Sequence, residues 1–210
     1  MTSELAQRIF GTPGSMGLSV LATLSALLLA AAWSDLRSRR VPNIVVFPGA
    51  LLAVLLHTAL PAGDGFLGAL PGGLGPLCAL QGLAYGLLAL LPLYLSHSMG
   101  AGDVKLMAMV GAFLGPAQIW PVLFATVLAG GALAVAVALR HGVLLRALGN
   151  VRRLVFGRLS KKIKPAGTAA LPQPAAAPNA VSVGRMPYAV AIAGGSIAYM
   201  LYRAHLLGIY

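Results

Sequence analysis

"LMAMVGAFLGPAQIWPVLFATVLAGGALAVAVAL", residues 106–139, contains no charged residue. It is too long for one straight crossing of a bilayer, whose hydrocarbon core takes about 20 apolar residues as a helix. Gly115-Pro116 divides it. Proline lacks a backbone N–H and its ring clashes with the preceding turn, so a helix does not run through it easily. The stretch therefore reads as a short helix over roughly 103–114 and a longer one over roughly 118–139. Whether the chain turns back at Pro116 decides on which side of a membrane everything after it lies.

The rest of the chain fits that setting. Of 210 residues, 59% are hydrophobic and 9% charged, against about 25% charged in a soluble domain. Residues 9–34, 41–63, 65–102 and 186–202 are also uncharged. Each of the first two holds one helix. The third holds one at about 77–95, after the Gly/Pro-rich turn "LPGGLGP", and the last holds one at about 186–206. The fold class is all-α, a polytopic membrane protein with about six transmembrane helices. "LLLAAAW" (27–33) has the small-residue pattern of a signal-peptide cleavage site, but Arg37, Arg39 and Arg40 follow at once and oppose export of what comes next.

The basic residues test the break at Pro116. With six spans, 35–43, 96–105 and 140–185 fall on one side. That side holds Arg37, Arg39, Arg40, Lys105, Arg140, Arg146, Arg152, Arg153, Arg158, Lys161, Lys162, Lys164 and Arg185, which is 13 of the 15 Lys and Arg residues, leaving only Arg8 and Arg203 opposite. The positive-inside rule makes the rich side cytoplasmic and both termini external. A single crossing over 103–139 would put the most basic loop outside. The net charge of +11 is thus a mark of topology, and no nucleic-acid partner is implied. A short helix at 103–114 is expected to need local thinning of the bilayer or a water-filled cavity at one end.

Three regions follow. Residues 1–140 form a membrane core of spans one to five. Residues 141–185 form a basic cytoplasmic loop and a linker, and 186–210 carry the final helix of the same domain. Within the loop, "LLRALGNVRRLVFGRLSKKIK" (144–164) has an apolar stripe at Leu144, Leu148, Val151, Val155 and Leu159, interrupted by Arg158 and Lys162. It reads either as an interfacial helix on anionic lipid or as a topology signal alone. "PAGTAALPQPAAAPNAVSVG" (165–184) is a Pro/Ala linker without periodicity. The lone Cys78 excludes an intrachain disulfide and reads as a small apolar residue of span three.

Only four acids exist, Glu4, Asp35, Asp64 and Asp103. The topology, drawn from basic residues alone, puts Asp35 at the cytoplasmic end of span one and Asp103 at the cytoplasmic start of span four. Acids at that depth are costly and mark functional sites by default. Three readings fit. The two form a catalytic pair that activates water and protonates a leaving amine. Or Asp103 caps its helix and the acids balance the arginines. Or they bind a cation in a small non-enzymatic transporter or channel. Transporters often carry an internal repeat, and none is found in this sequence. Gly100 and Gly102 allow close backbone approach or positive φ beside Asp103. His97 is the histidine nearest the pair and reads as a polar helix end.

Three stretches carry a resemblance. "SDLRSRRVPN" (34–43), "GAGDVKL" (100–106) and "MPYAVAIAGG" (186–195) resemble motifs of the type IV prepilin peptidases, membrane-embedded aspartyl proteases of the GxGD class. The first has an aspartate, a basic run and Pro-Asn opening span two. The second is the GxGD motif with its Val-Lys-Leu continuation. The third resembles the start of the family's final helix. The Pro-Asn motif argues against another GxGD protease, such as a signal-peptide peptidase.

The resemblance implies Asp35 and Asp103 as the catalytic pair, with Gly100, Gly102, Lys105, Pro42 and Asn43 at supporting motif positions. It implies no metal and no cofactor. The implied substrate is a prepilin or pseudopilin with a basic leader, cleaved at the cytoplasmic face of a bacterial inner membrane. Anionic lipid is the expected partner of the basic loop. Larger members carry paired CxxC motifs and also N-methylate the product. This chain has one cysteine, so it resembles the short Flp, or tight-adherence, branch, and methyltransferase activity is not expected.

Overall fold

The computed structural model describes residues 13–97, 99–140 and 188–207. Among these, six α-helices and no strand are found: α1 (Pro13–Ser38), α2 (Asn43–Ala59), α3 (Pro76–Leu95), α4 (Ala101–Leu114), α5 (Ile119–Arg140) and α6 (Tyr188–Leu206). The interfacial helix expected at 144–164 and the linker at 165–184 lie outside the described residues. The chain divides into two compact units, Met1–Gly130 with Pro187–Tyr210, and Gly131–Met186. Of the second unit only the end of α5 is described.

Helix breaks fall where backbone chemistry demands them. α4 ends at Gly115, whose φ of 80° lies in the left-handed region that glycine enters at no steric cost. Pro116 follows, and α5 begins three residues later. The chain therefore breaks at Gly115-Pro116 as expected. α3 starts with Pro76 after Gly75 at φ 84°, a proline placed where its missing N–H costs nothing.

Three described helices are long and apolar enough to cross a membrane: Ser15–Ser38, Pro76–Leu95 and Ile119–Val137. α2 is apolar but has 17 residues, and α6 ends with Arg203 and His205 in its last turn. Large apolar side chains stand outward on the outer helices, among them Trp33, Ile44, Leu77 and Phe124. A soluble protein rarely shows so many.

α4 is the opposite case. Its 14 residues rise about 21 Å, too short for a bilayer core of about 30 Å. The sequence reading expected membrane thinning or a water-filled cavity at this helix. Along its length protein encloses it: from Leu106 to Leu114 every residue is buried. Its main support is α3, and small residues bring the two backbones together. A Cβ on Gly82 would lie 2.1 Å from the Gly111 carbonyl oxygen, and one on Gly86 2.4 Å from that of Met107. Gly82 and Gly86 are one turn apart, the spacing that lets membrane helices pack closely.

The connection from α2 to α3 is packed against the bundle. Phe66 and Leu67 fold back from it into the core, and the Gly63 N–H donates to the Gly73 carbonyl at 3.0 Å. Buried His57 secures it. The Leu74 N–H donates to His57 Nδ1 at 3.0 Å. Nδ1 therefore accepts, and Nε2–H donates to the Phe113 carbonyl at 3.0 Å. That carbonyl belongs to the last turn of α4, where helical partners run out. The ring also stacks on Phe66 with centroids 4.4 Å apart. His57→Phe keeps the size but leaves a buried N–H and a buried C=O unpaired. The expected cost is about 1–3 kcal/mol for each group, read as a lower melting temperature in detergent.

Near the same connection, Arg203 of α6 donates to the Leu67 carbonyl at 3.2 Å, and the Tyr199 hydroxyl donates to Gln118. Arg203, placed on the external side in the sequence reading, thus holds a loop in place.

Candidate functional site

Asp35 sits in the last turn of α1, which runs on to Ser38 and takes in Arg37. The turn into α2 is only residues 39–42 and is tightly held. The Arg39 N–H donates to the Asp35 carbonyl at 2.7 Å, with Arg39 at φ 53°. The Ser34 hydroxyl donates to the Arg40 carbonyl at 3.2 Å, and the Ser38 hydroxyl donates to the Ser34 carbonyl at 2.8 Å. These serines, inside the first motif, were given no role from sequence. Hydroxyls one helical turn apart and just before a chain reversal are the signal that could have found them. Pro42 is the residue before α2, in extended conformation at φ −72° and ψ 128°, and its carbonyl accepts from the Val45 and Val46 amides.

Asp103 sits in the first turn of α4. The sequence reading allowed it to be the N-cap, but Gly100 holds that position, with φ −78° and ψ 149°. Asp103 is the third helical residue, and its carboxylate reaches back to the Gly100 amide. This is the acidic half of a capping box, which satisfies a donor the helix start leaves free. Positive φ is not used at Gly100 or Gly102, which are absent from the glycines that adopt it. Both glycines face neighbouring side chains. A Cβ on Gly102 would lie 2.9 Å from Val41 Cβ, and one on Gly100 3.3 Å from Asp103 Oδ2.

The two carboxylates come together although 68 residues separate them in sequence (103 − 35 = 68). Each is buried, Asp35 at 7% and Asp103 at 9% exposure, and they are near enough for their charges to interact. The backbone amide of Ala189, in the first turn of α6, faces the Asp35 carboxylate. Thus the third motif also arrives at the pair. Its contribution is a helix start, whose free N–H groups suit a negative charge. Lys105 points its ammonium away from the bundle interior, donating to Asn43 Oδ1 at 3.3 Å and lying 5.3 Å from the Phe47 ring centre. His97 ends the helix before the site, its N–H on the Tyr94 carbonyl at 2.9 Å.

Buried acid pairs of this kind suit proton transfer at a reacting centre. Fold and site together define a helical membrane protein with two buried carboxylates at neighbouring helix ends. The sequence model of the type IV leader peptidase family matches residues 22–135, more than half of the chain and inclusive of both aspartates. The chain belongs to the type IV leader peptidase family. Searches of curated proteins and of solved structures found no match.

Proposed function

We propose that the protein is an aspartyl endopeptidase of the bacterial inner membrane that removes the basic leader from Flp-like prepilins or pseudopilins, with Asp35 and Asp103 as the catalytic pair. The observation that carries this reading is the burial of the two acids at the ends of α1 and α4, near enough for their charges to interact. Family membership supplies the reaction class. An ionised carboxylate takes a proton from water, and the water oxygen attacks the scissile carbonyl carbon. The other, protonated, carboxyl donates to the carbonyl oxygen. When the tetrahedral intermediate collapses, the C–N bond breaks, the leaving amine takes the proton that the base removed, and a hydroxyl of the intermediate returns a proton to the other carboxylate. Family members with paired CxxC motifs also methylate the product. The single Cys78 supports leader removal alone.

Co-expression with candidate prepilins, read by the size shift on leader loss, tests the function. Absence of processing of any Flp-like precursor by a well-inserted enzyme would refute it.

The active site is placed at the cytoplasmic face, and the charge partition supports six crossings with residues 140–185 inside. In a Cys78→Ser background, a cysteine at position 160 is expected to resist an impermeant thiol reagent added to intact cells. Labelling there would reverse the topology.

A further inference from the structure

Lys105 has a common explanation, a basic residue marking the inner membrane edge with its head in water. Its partners argue for more. Both lie on α2: the Asn43 amide oxygen at 3.3 Å and the Phe47 ring at 5.3 Å, one helical turn apart. Three residues earlier on α4, Gly102 leaves room for Val41, whose side chain lies where a Cβ would project. The start of α4 is therefore docked along 41–47 through two contacts, and Asp103 lies between them. Asp35 joins the same frame from the other end. The turn at 39–42 is stiffened by the Arg39 N–H on the Asp35 carbonyl and by the Ser34 hydroxyl on the Arg40 carbonyl. A continuous path runs from Asp35 through this turn to Asn43, across to Lys105, and back two residues to Asp103.

We propose that Lys105 and Asn43 form a latch that sets the separation and facing of the two carboxylates, which makes Lys105 a positioning residue for Asp103. The proposal rests on the catalytic reading of the aspartates given above. It accounts for why an amide at the first residue of α2 and a lysine in α4 occur together: each supplies what the other needs, an acceptor and a donor. The ring of Phe47 adds a face that favours a cation.

The test uses the full-length enzyme in detergent with a purified precursor, measuring kcat and KM separately. Lys105→Met keeps the length and removes the donor. Its kcat is expected to fall on the order of a hundredfold, the loss that a misplacement of about 1 Å produces, with KM unchanged. Lys105→Arg keeps a donor and should restore most of the rate. Asn43→Leu should match Lys105→Met, and the double variant should be no slower than either, because both break one contact. Asn43 is exposed, so its variant carries the test if Lys105→Met fails to fold. A raised KM at unchanged kcat would overturn the latch in favour of substrate contact, and multiplicative losses in the double variant would also overturn it. Full activity of Lys105→Met beside inactive Asp35→Asn and Asp103→Asn would refute the latch alone. Activity of the aspartate variants would refute the reading beneath it.

Discussion

Asp35→Asn and Asp103→Asn are each expected to lower precursor cleavage by roughly 10²–10⁴-fold, the range that positioned acid–base groups supply. Asparagine keeps the shape and can still accept a hydrogen bond, but it cannot exchange a proton at the reacting centre. The double variant should be no worse than the singles, because residues that act as one unit do not contribute additively. Folding should survive at both positions. At Asp103 the side-chain oxygen of asparagine can still meet the Gly100 amide that the carboxylate now faces. Asp64 is the control. It is exposed in the α2–α3 connection, where its backbone N–H, not its carboxylate, makes the bond to the Leu70 carbonyl. Asp64→Asn should cleave at the normal rate. Immunoblots of co-expressed precursor at matched enzyme levels check all four variants. Near-normal processing by either dyad variant would leave the capping role of Asp103 as the better account.

The second large effect concerns stability. Gly82→Ala and Gly111→Ala are each expected to destabilise the protein by about 1–3 kcal/mol or more. The added methyl at either position would meet the other residue's carbonyl oxygen at 2.1 Å. That oxygen is backbone and cannot rotate aside, so α3 and α4 would have to separate. Cavities would open along the buried face of α4, where Met107, Val110 and Leu114 pack. Gly194→Ala is the matched control, since nothing lies within 4 Å of a Cβ there. In a helix interior that change should be neutral or favourable by up to about 1 kcal/mol. Melting in detergent, followed by loss of helical signal, separates the cases. Equal melting temperatures for Gly82→Ala and Gly194→Ala would show that α3 and α4 are not packed backbone to backbone.

The sequence made the helices legible through its charge gaps and proline breaks, because a membrane leaves few other ways to satisfy a buried backbone. The same reasoning led to Asp35 and Asp103, since acids are rare in such a chain and their cost asks for a purpose. It fell short where tertiary packing decides the outcome. That α4 is enclosed by protein was not legible, because the glycines of α3 that pack against it make no local pattern. Glycine and proline dominate the α2–α3 connection, and nothing local shows that Phe66 and Leu67 pack into the core. His57 belongs to no motif. Its two backbone partners lie 17 and 56 residues away, and no local pattern announces such a pairing. The N-cap of α4 was off by three residues because a glycine can start a helix while the acid behind it closes the cap.

The Ala189 amide beside Asp35 has a consequence for the order of synthesis. α3 and α4 are neighbours in the chain and can pair as soon as both have left the ribosome, so Asp103 reaches its surroundings early. The wall beside Asp35 comes from α6, which follows the other five described helices in the chain. Until it docks, both acids are present but the pocket around Asp35 lacks one side. In the proposed reading of the pair, a nascent chain gains its full site only once α6 has docked.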